Sequence, residues 1–499
     1  MVRPLFLFGL GAVAASFALL YSLPVAILCI GISALITLAF VLFRKNSLNK
    51  GVLVALIFII LAVRLVAVSV SIDSRSSAIY GKTADITAQI IEIDKSTNTF
   101  TSLSLKVIDS SLSEAKGIKL KGIFMSDTNA LPGDIISARA VFSKQDDKYS
   151  AKNFGEGYYY AAEIEKIYSL KGKSFSFHRI IYNLRTIISS AIERAGKDNE
   201  GAVLKALIIG DKSDISEELN TSVRNSGVSH MLVVSGMHLG IVCGVLMNLF
   251  KRRVKPVLGV IIGVVSALFI LLICLFHVSI LRASIAYIVM LFALVLRRDA
   301  DSLSALGFGV IVAVFAMPYI FYNVAFLLSI TATFAVLCPA KMLIDAVKFD
   351  KFGTLGKLFR YTYDILVISF CSMVCILPVT VAYFEQIALA APLTNLAVSL
   401  SVSLALIIGV FAVLVSFLPF GIYLSVPVFV LARIFVTFFI KAVTVIGKDG
   451  FGVMTIAADK VCYCFLVSIA FVLLVTFITK QIKRKEKNYA KRFDTQIIP

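Results

Sequence analysis

The chain has 499 residues, 59% of them hydrophobic and 16% charged, with a mean hydropathy of +0.92. Soluble globular domains run at roughly 45–50% apolar and 25% charged, so this composition excludes a soluble protein. It points instead to a polytopic α-helical membrane protein. The net charge of +19 invites a nucleic-acid reading until its distribution is followed. Residues 72–228, the one long polar stretch, carry 21 Lys/Arg and 20 Asp/Glu, while the remainder carries 28 against 10. That excess clusters in Arg44-Lys45, Lys251–Lys255, Arg297-Arg298, Lys341–Arg360 and Lys480–Arg492. Such clustering is what cytoplasmic loops show, so the basic balance reports topology and not DNA. The eight cysteines lie in or beside apolar runs and read as buried hydrophobes.

Three apolar runs open the chain, near residues 5–21, 24–43 and 51–71. No small-residue cleavage site separates the first two, so the first is not a removable signal. Residues 72–175 then change character. Ile86, Ala88 and Ile90 alternate with Asp85, Thr87 and Gln89, and Leu103, Leu105 and Val107 alternate again. Ile118, Leu120 and Phe124 set against Lys119 and Lys121, a Leu131-Pro-Gly-Asp134 turn, Ile136–Phe142 and Tyr158–Tyr168 complete five short strands. Five strands of this kind fit a small OB-like barrel, placed outside the membrane after the third span. Residues 176–228 read as an amphipathic helical region, with Asp214-x-x-Glu217 as a helix start and Gly227 as a stop.

From residue 229 the chain returns to the membrane. Further spans are expected near 256–276, 280–296, 302–318, 322–340, 362–383, 390–417, 422–446 and 460–479, about 10–12 in all, before a basic tail at 480–499. Pro392, Pro419 and Pro427 leave room for a broken helix within 389–447.

The densest polar constellation is Gly227-Val-Ser-His230-Met-Leu-Val-Val-Ser235-Gly236-Met-His238-Leu-Gly240. Gly236, Gly240 and Gly244 recur every four residues and make a flat stripe on which another helix backbone can pack. Hydrocarbon rejects His230, Ser235 and His238, so they should face protein or a water-filled path. A Ser235/His238 hydrolase pair lacks an orienting carboxylate within the motif. Arg64, Arg282, Asp364, Glu385, Arg433 and Lys441 lie within or beside spans. Arg282 is the better candidate for phosphate contact, Arg64, Arg433 and Lys441 can simply snorkel or pair, and Asn323 and Asn395 can cap helices or line a path. Neither a phosphate loop nor a metal-ligand cluster is present, so no cofactor, metal, ATPase or nuclease is expected.

Residues 206–250 carry a specific resemblance. Ala206-Leu-Ile-Ile-Gly210-Asp211-Lys-Ser213, followed by Asn225-Ser-Gly-Val-Ser-His230-Met-Leu-Val-Val-Ser235-Gly236-Met-His238, resembles the signature of the ComEC competence-channel family. Ile280-Leu-Arg282-Ala-Ser284, Phe326-Leu-Leu-Ser329 and Ala390-Ala-Pro392-Leu-Thr-Asn395-Leu agree further. The resemblance implies a channel admitting single-stranded DNA across the bacterial cytoplasmic membrane during natural transformation. A DNA receptor and a cytoplasmic ATPase or helicase would be its partners. Many members add a C-terminal metallo-β-lactamase-like domain; here the chain ends about 20 residues after the last span, so that activity is expected to be absent or to reside elsewhere. In this reading His230, Ser235, His238, Arg282 and Asn395 line the DNA path. Tyr158, Tyr159, Tyr160 and Tyr168 are stacking candidates on the barrel, some of them expected to be core. A solute or lipid-intermediate transporter with an external sensing domain is the alternative, and a membrane scaffold a third possibility.

Overall fold

The alternation in residues 84–142 builds a closed barrel. The computed structural model describes residues 48–496 apart from 97–98, 127, 129, 146, 173–175, 251–255, 297–300, 348–352 and 451. Strands β1 (Thr83–Ser96), β2 (Thr101–Ser110), β3 (Lys119–Phe124), β4 (Ile135–Ser143) and β5 (Tyr160–Lys171) close in the order β1-β2-β3-β5-β4. β3 and β5 run parallel and the other four pairings are antiparallel, the arrangement of an OB-type barrel. Ile86, Ala88, Ile90, Leu103, Leu105, Val107, Leu120, Ile136 and Phe142 point inward, each at most 2% exposed. Removing each larger side chain from water contributes about 1.5–3 kcal/mol. Small residues let so narrow a barrel close: a Cβ on Gly122 would stand 3.0 Å from Leu105 Cδ1 and 3.1 Å from Ile164 Cδ1. Register shifts along β1 coil that strand around the core.

Helix α1 (Leu48–Ile79) runs straight into the barrel. Its last residue, Ile79, is fully buried in the barrel core, and the Gly81 N–H donates to the Phe142 carbonyl at 2.9 Å. A short helix that the strand pattern does not announce, α2 (Asp147–Gly155), fills the β4–β5 connection. The first two apolar runs lie outside the described residues.

The remaining helices are α3 (Phe177–Ala195), α4 (Asn199–Ile209), α5 (Glu217–Asn225), α6 (Gly236–Phe250), α7 (Pro256–Ile273), α8 (Val278–Val295), α9 (Ser302–Ala316), α10 (Val324–Ala335), α11 (Lys341–Ala346), α12 (Gly353–Phe384), α13 (Ala391–Ser416), α14 (Gly421–Leu424), α15 (Val426–Gly447) and α16 (Val461–Gln496). Each span expected from residue 256 onward coincides with such a helix. Among the described residues, five stretches are long and apolar enough to cross a bilayer: Val324–Ala346, Leu355–Phe384, Ala391–Ser416, Gly421–Gly447 and Ala458–Ile482. Four shorter apolar helices accompany them. The region 389–447 holds two long helices, α13 and α15, joined by a tight reversal in which Phe420 adopts φ 60°. The backbone irregularity lies elsewhere, in a π turn at Val336–Ala340, where Pro339 has no N–H to offer the helical ladder.

The described residues divide into two compact units, one within Met1–Ile187 and Leu268–Phe326, the other within Ile188–Ala267 and Leu327–Pro499. In the first, the barrel and the helices that flank it meet other helix ends at three places. Ser69 on α1 hydrogen-bonds the Tyr319 hydroxyl beyond α9. Phe154 on α2 packs edge-on against Tyr159 and Tyr319, with ring centroids 5.3 and 5.6 Å away. Arg185 on α3 donates to the Ile273 carbonyl at the end of α7 at 2.5 Å. Asp134, from the predicted turn, pairs with Arg179 and pins α3 to the barrel.

The second unit is built on the α13–α15 hairpin, with α4, α5 and α6 packed against it and α12 against α16. A two-stranded ribbon, β6 (Gln386–Ala388) with β7 (Val453–Thr455), leads into α13. Lys205 on α4 is 6% exposed, and its Nζ lies 2.6 Å from both Glu193 Oε1 and Asp214 Oδ2. Asp214 is therefore committed to this triad and does not start α5. Ser216 does so, its Oγ accepting the Leu219 N–H at 3.4 Å.

Candidate functional site

The motif 225–240 is a reversal followed by a short helix. Helix α5 ends at Asn225, and Gly227 turns the chain at φ +77°, where a Cβ would stand 2.6 Å from Ala391 Cβ and 2.8 Å from Ala388 Cβ. One 3-10 turn, Ser229–Met231, and a non-helical stretch lead to α6. With 15 residues, α6 is about 22 Å long, shorter than the roughly 30 Å hydrocarbon core. Irregular backbone ahead of so short a helix is tolerated at membrane depth only against protein or a wet cavity.

The His238 side chain caps the start of α6. The Ser235 carbonyl accepts the Leu239 N–H at 3.1 Å, while the Ser235 N–H donates to His238 Nδ1 at 3.2 Å. Ser235 Oγ lies 3.1 Å from the same nitrogen. This is one half of a capping box, with histidine in the acceptor role usually filled by Glu. Because Nδ1 accepts a backbone N–H, its lone pair is engaged and the proton resides on Nε2. That engagement argues against Ser235 and His238 as a nucleophile and base. His238 is 1% exposed, and its Nε2 has no hydrogen-bond partner. His230 is exposed and within electrostatic range of it. Asn395, on the helix against which α6 packs, donates to Ser369 Oγ at 3.0 Å and leaves Oδ1 buried without a partner.

The glycine stripe behaves differently from its expected use. Gly240 and Gly244 are exposed, with no atom within 4 Å of where a Cβ would stand, so no described helix approaches there. The buried side of α6 is His238, Leu239 and Cys243, displaced around the helix from the glycines. Gly240→Ala and Gly244→Ala should therefore be accommodated and should raise helix stability by up to about 1 kcal/mol each. An unchanged or higher unfolding midpoint in detergent is the expected reading; a loss of folded protein would mean that a helix packs on the stripe after all.

Arg282 belongs to the other unit. It is 6% exposed on α8, with its Cγ 3.8 Å from the Cβ position of Gly309 on α9. Asn323 caps α10, its side-chain oxygen accepting the Phe326 N–H at 3.3 Å.

The four tyrosines separate by strand alternation and by docking. Tyr160 is 4% exposed in the barrel core, and Tyr159 is held between Phe154 and Tyr319. Tyr158 lies under Lys121, whose Nζ is 4.3 Å from the ring centroid. Tyr168 is 51% exposed, with Lys166 Nζ 5.9 Å from its ring centroid and its hydroxyl donating to Asp85 Oδ1 at 3.4 Å.

A polar network on the outer face of β1–β3 escaped sequence reasoning. Lys121 Nζ reaches Asp94 Oδ1 at 2.8 Å and Ser104 Oγ at 2.7 Å, with Glu156 Oε2 at 3.9 Å. Its only sequence signal is Lys121 alternating with Leu120. Burial, then the neighbouring Asp94 charge, push the Glu92 carboxyl up to about 7, against the pull of Lys121 and Arg185. The folded state thus holds a proton that the unfolded chain releases near pH 4.5, so stability should fall as pH rises from about 4.5 to 7. Between pH 5 and 8, Glu92→Gln should gain on the wild type by on the order of 1–3 kcal/mol. Thermal midpoints of both proteins across that range check it; parallel curves would refute it.

Among the described residues no group of three or more His, Cys, Asp or Glu is arranged to hold a metal. The fold and site thus define a multi-pass helical membrane protein carrying an OB-type barrel. A Competence protein family model matches residues 207–481, more than half of the chain, which therefore belongs to that family. ComE operon protein 3 of Bacillus subtilis (strain 168) is 25% identical over 215 residues, covering 42% of this chain and 25% of that protein. The chain thus aligns with about a quarter of that relative's length. No solved structure matches.

Proposed function

We propose that this protein is a channel through which single-stranded DNA crosses the cytoplasmic membrane during natural transformation. The observation that carries the reading is the competence-family match over the membrane helices, in a chain that also bears an OB-type barrel. Barrels of this topology present single strands with a groove and stacking rings. Here Tyr168 and the tyrosine-covered Lys121 supply such groups. The near balance of charge in residues 72–228 suits loose contact that hands a strand on.

The barrel's attachments support an extracytoplasmic position. Through α3, which Asp134 pins to it, it is tied to the C-terminal end of α7, and through Phe154 and Tyr159 to the turn after α9. Lys251–Lys255 and Arg297-Arg298 precede the opposite ends of those helices. The positive-inside rule then assigns the barrel to the outside and the Lys480–Arg492 tail to the cytoplasm. Buried His238 and Asn395, each with an unpaired polar atom, suit a lining that touches a polyanion briefly and lets it go. Pulling falls to a partner ATPase inside, and delivery to a DNA receptor outside.

A deletion strain scored for uptake of marked DNA tests the function: complete loss supports the channel, and normal transformation refutes it. Labelling of a Lys144→Cys variant by an impermeant thiol reagent in intact cells is the expected topology result; labelling only after permeabilisation would reverse it.

A further inference from the structure

Several buried or half-buried cations among the helices have anionic partners. Arg433 reaches Asp198 and the Ala195 carbonyl, Arg360 pairs with Asp364 at 3.1 Å, and Lys205 sits between Glu193 and Asp214. Arg64 is different. It stands half-buried on α1, at the edge of the buried stripe of Leu61, Leu65, Ser69 and Ile72 and bordering exposed Ile60 and Val63. Its Nε is buried without a hydrogen-bond partner, and no carboxylate among the described residues pairs with it. Its guanidinium carbon lies 4.6 Å from the Phe315 ring centroid, and its charge reaches Tyr159.

A cation held among apolar helices without a counter-charge is costly and marks a binding role. The Phe315 ring supports one face of the guanidinium and leaves its N–H edge for an incoming group. A planar fork of N–H donors matches the paired oxygens of a phosphate. Arg64 is also fixed relative to the barrel, because α1 continues without a break to Ile79 in the barrel core, about 22 Å further along at 1.5 Å per residue. Tyr159, its electrostatic neighbour, directly follows the ring that covers Lys121.

We propose that Arg64 binds a backbone phosphate of the single strand where it passes from the barrel to the membrane helices, an inference that rests on the channel reading above. A snorkelling arginine, or one holding a lipid phosphate, would leave strand binding untouched. The test uses the full chain in phosphatidylcholine nanodiscs, titrated with a fluorescein-labelled 20-mer of thymidylate at several salt concentrations. Arg64→Gln should weaken binding about 3–10-fold and lower the slope of log K against log salt by about 0.7, the signature of one lost phosphate contact on a single strand. Arg64→Lys should keep the slope and lose about 2–3-fold in affinity, because the charge remains and the fork does not. Wild-type affinity and slope in Arg64→Gln would overturn the assignment while leaving the channel reading intact. Should that variant fail to fold, wild-type affinity in Arg64→Lys would overturn it. Absence of saturable binding by the wild type would remove the channel reading and this inference together.

Discussion

Gly227→Ala is expected to destabilise the membrane domain by about 2–5 kcal/mol, as the sum of two costs. An L-residue held in the left-handed region at φ +77° loses roughly 1–2 kcal/mol. The added Cβ would also meet Ala391 Cβ at 2.6 Å and Ala388 Cβ at 2.8 Å, and such overpacking costs about 1–3 kcal/mol. Neither neighbour can give way by rotating, since an alanine side chain has no further atoms to move. Gly157 is the internal control: its φ is +83° but nothing lies within 4 Å of its Cβ position. Gly157→Ala should therefore show the backbone cost alone. The amount of folded protein in the membrane and its unfolding midpoint in detergent measure both, and equal losses at the two positions would show that Ala388 and Ala391 do not constrain the turn.

Lys205→Met should be the most damaging single change in the polar region of the second unit. It leaves Glu193 and Asp214 facing each other's charge, where Lys205 had been hydrogen-bonded to both. Removing one partner from a fully buried pair costs about 3–5 kcal/mol; with Glu193 34% and Asp214 52% exposed, water screens part of this, and about 2 kcal/mol is expected. The pH dependence has a definite sign. Hydrogen bonding from Lys205 holds both carboxyls below their usual range, despite the opposing effect of burial. Their contribution is therefore present above the unfolded carboxyl pKa and lost as pH falls through the depressed folded values. The Met variant should lose that acid sensitivity along with its stability at neutral pH. Adding Glu193→Gln and Asp214→Asn should recover part of the loss, because no unpaired charge then remains. A pH profile of unfolding midpoints decides the matter, and a variant that keeps the wild-type acid slope would show that the triad is not its source.

Much of the architecture was legible because it depends on local periodicity. Alternating Ile86, Ala88 and Ile90 can bury one side only as a strand, and apolar runs such as 391–416 satisfy their backbone in a bilayer only as a helix. The Gly227 stop follows from the same kind of local rule, because a helix that must reverse needs a left-handed residue. The helix start assigned to Asp214 failed for a non-local reason: Lys205, nine residues earlier, claims its carboxylate, and Ser216 takes the cap.

What the tertiary structure alone decided is which neighbour each face meets. Period four predicts that Gly236, Gly240 and Gly244 share a stripe, but not that Leu239 and Cys243, one step around the helix, would be the pair buried. Three consecutive tyrosines look equivalent as candidates, yet strand alternation buries Tyr160, Phe154 and Tyr319 enclose Tyr159, and Tyr158 covers Lys121. The roles of His238 as the cap of the Ser235 N–H, and of Arg64 as a cation with an aromatic support and no carboxylate, likewise arise from contacts between atoms. Periodicity is a property of a few neighbouring residues and survives in the sequence. Pairing between residues 64 and 315, or 227 and 391, is settled by how whole helices pack, and no local pattern encodes it.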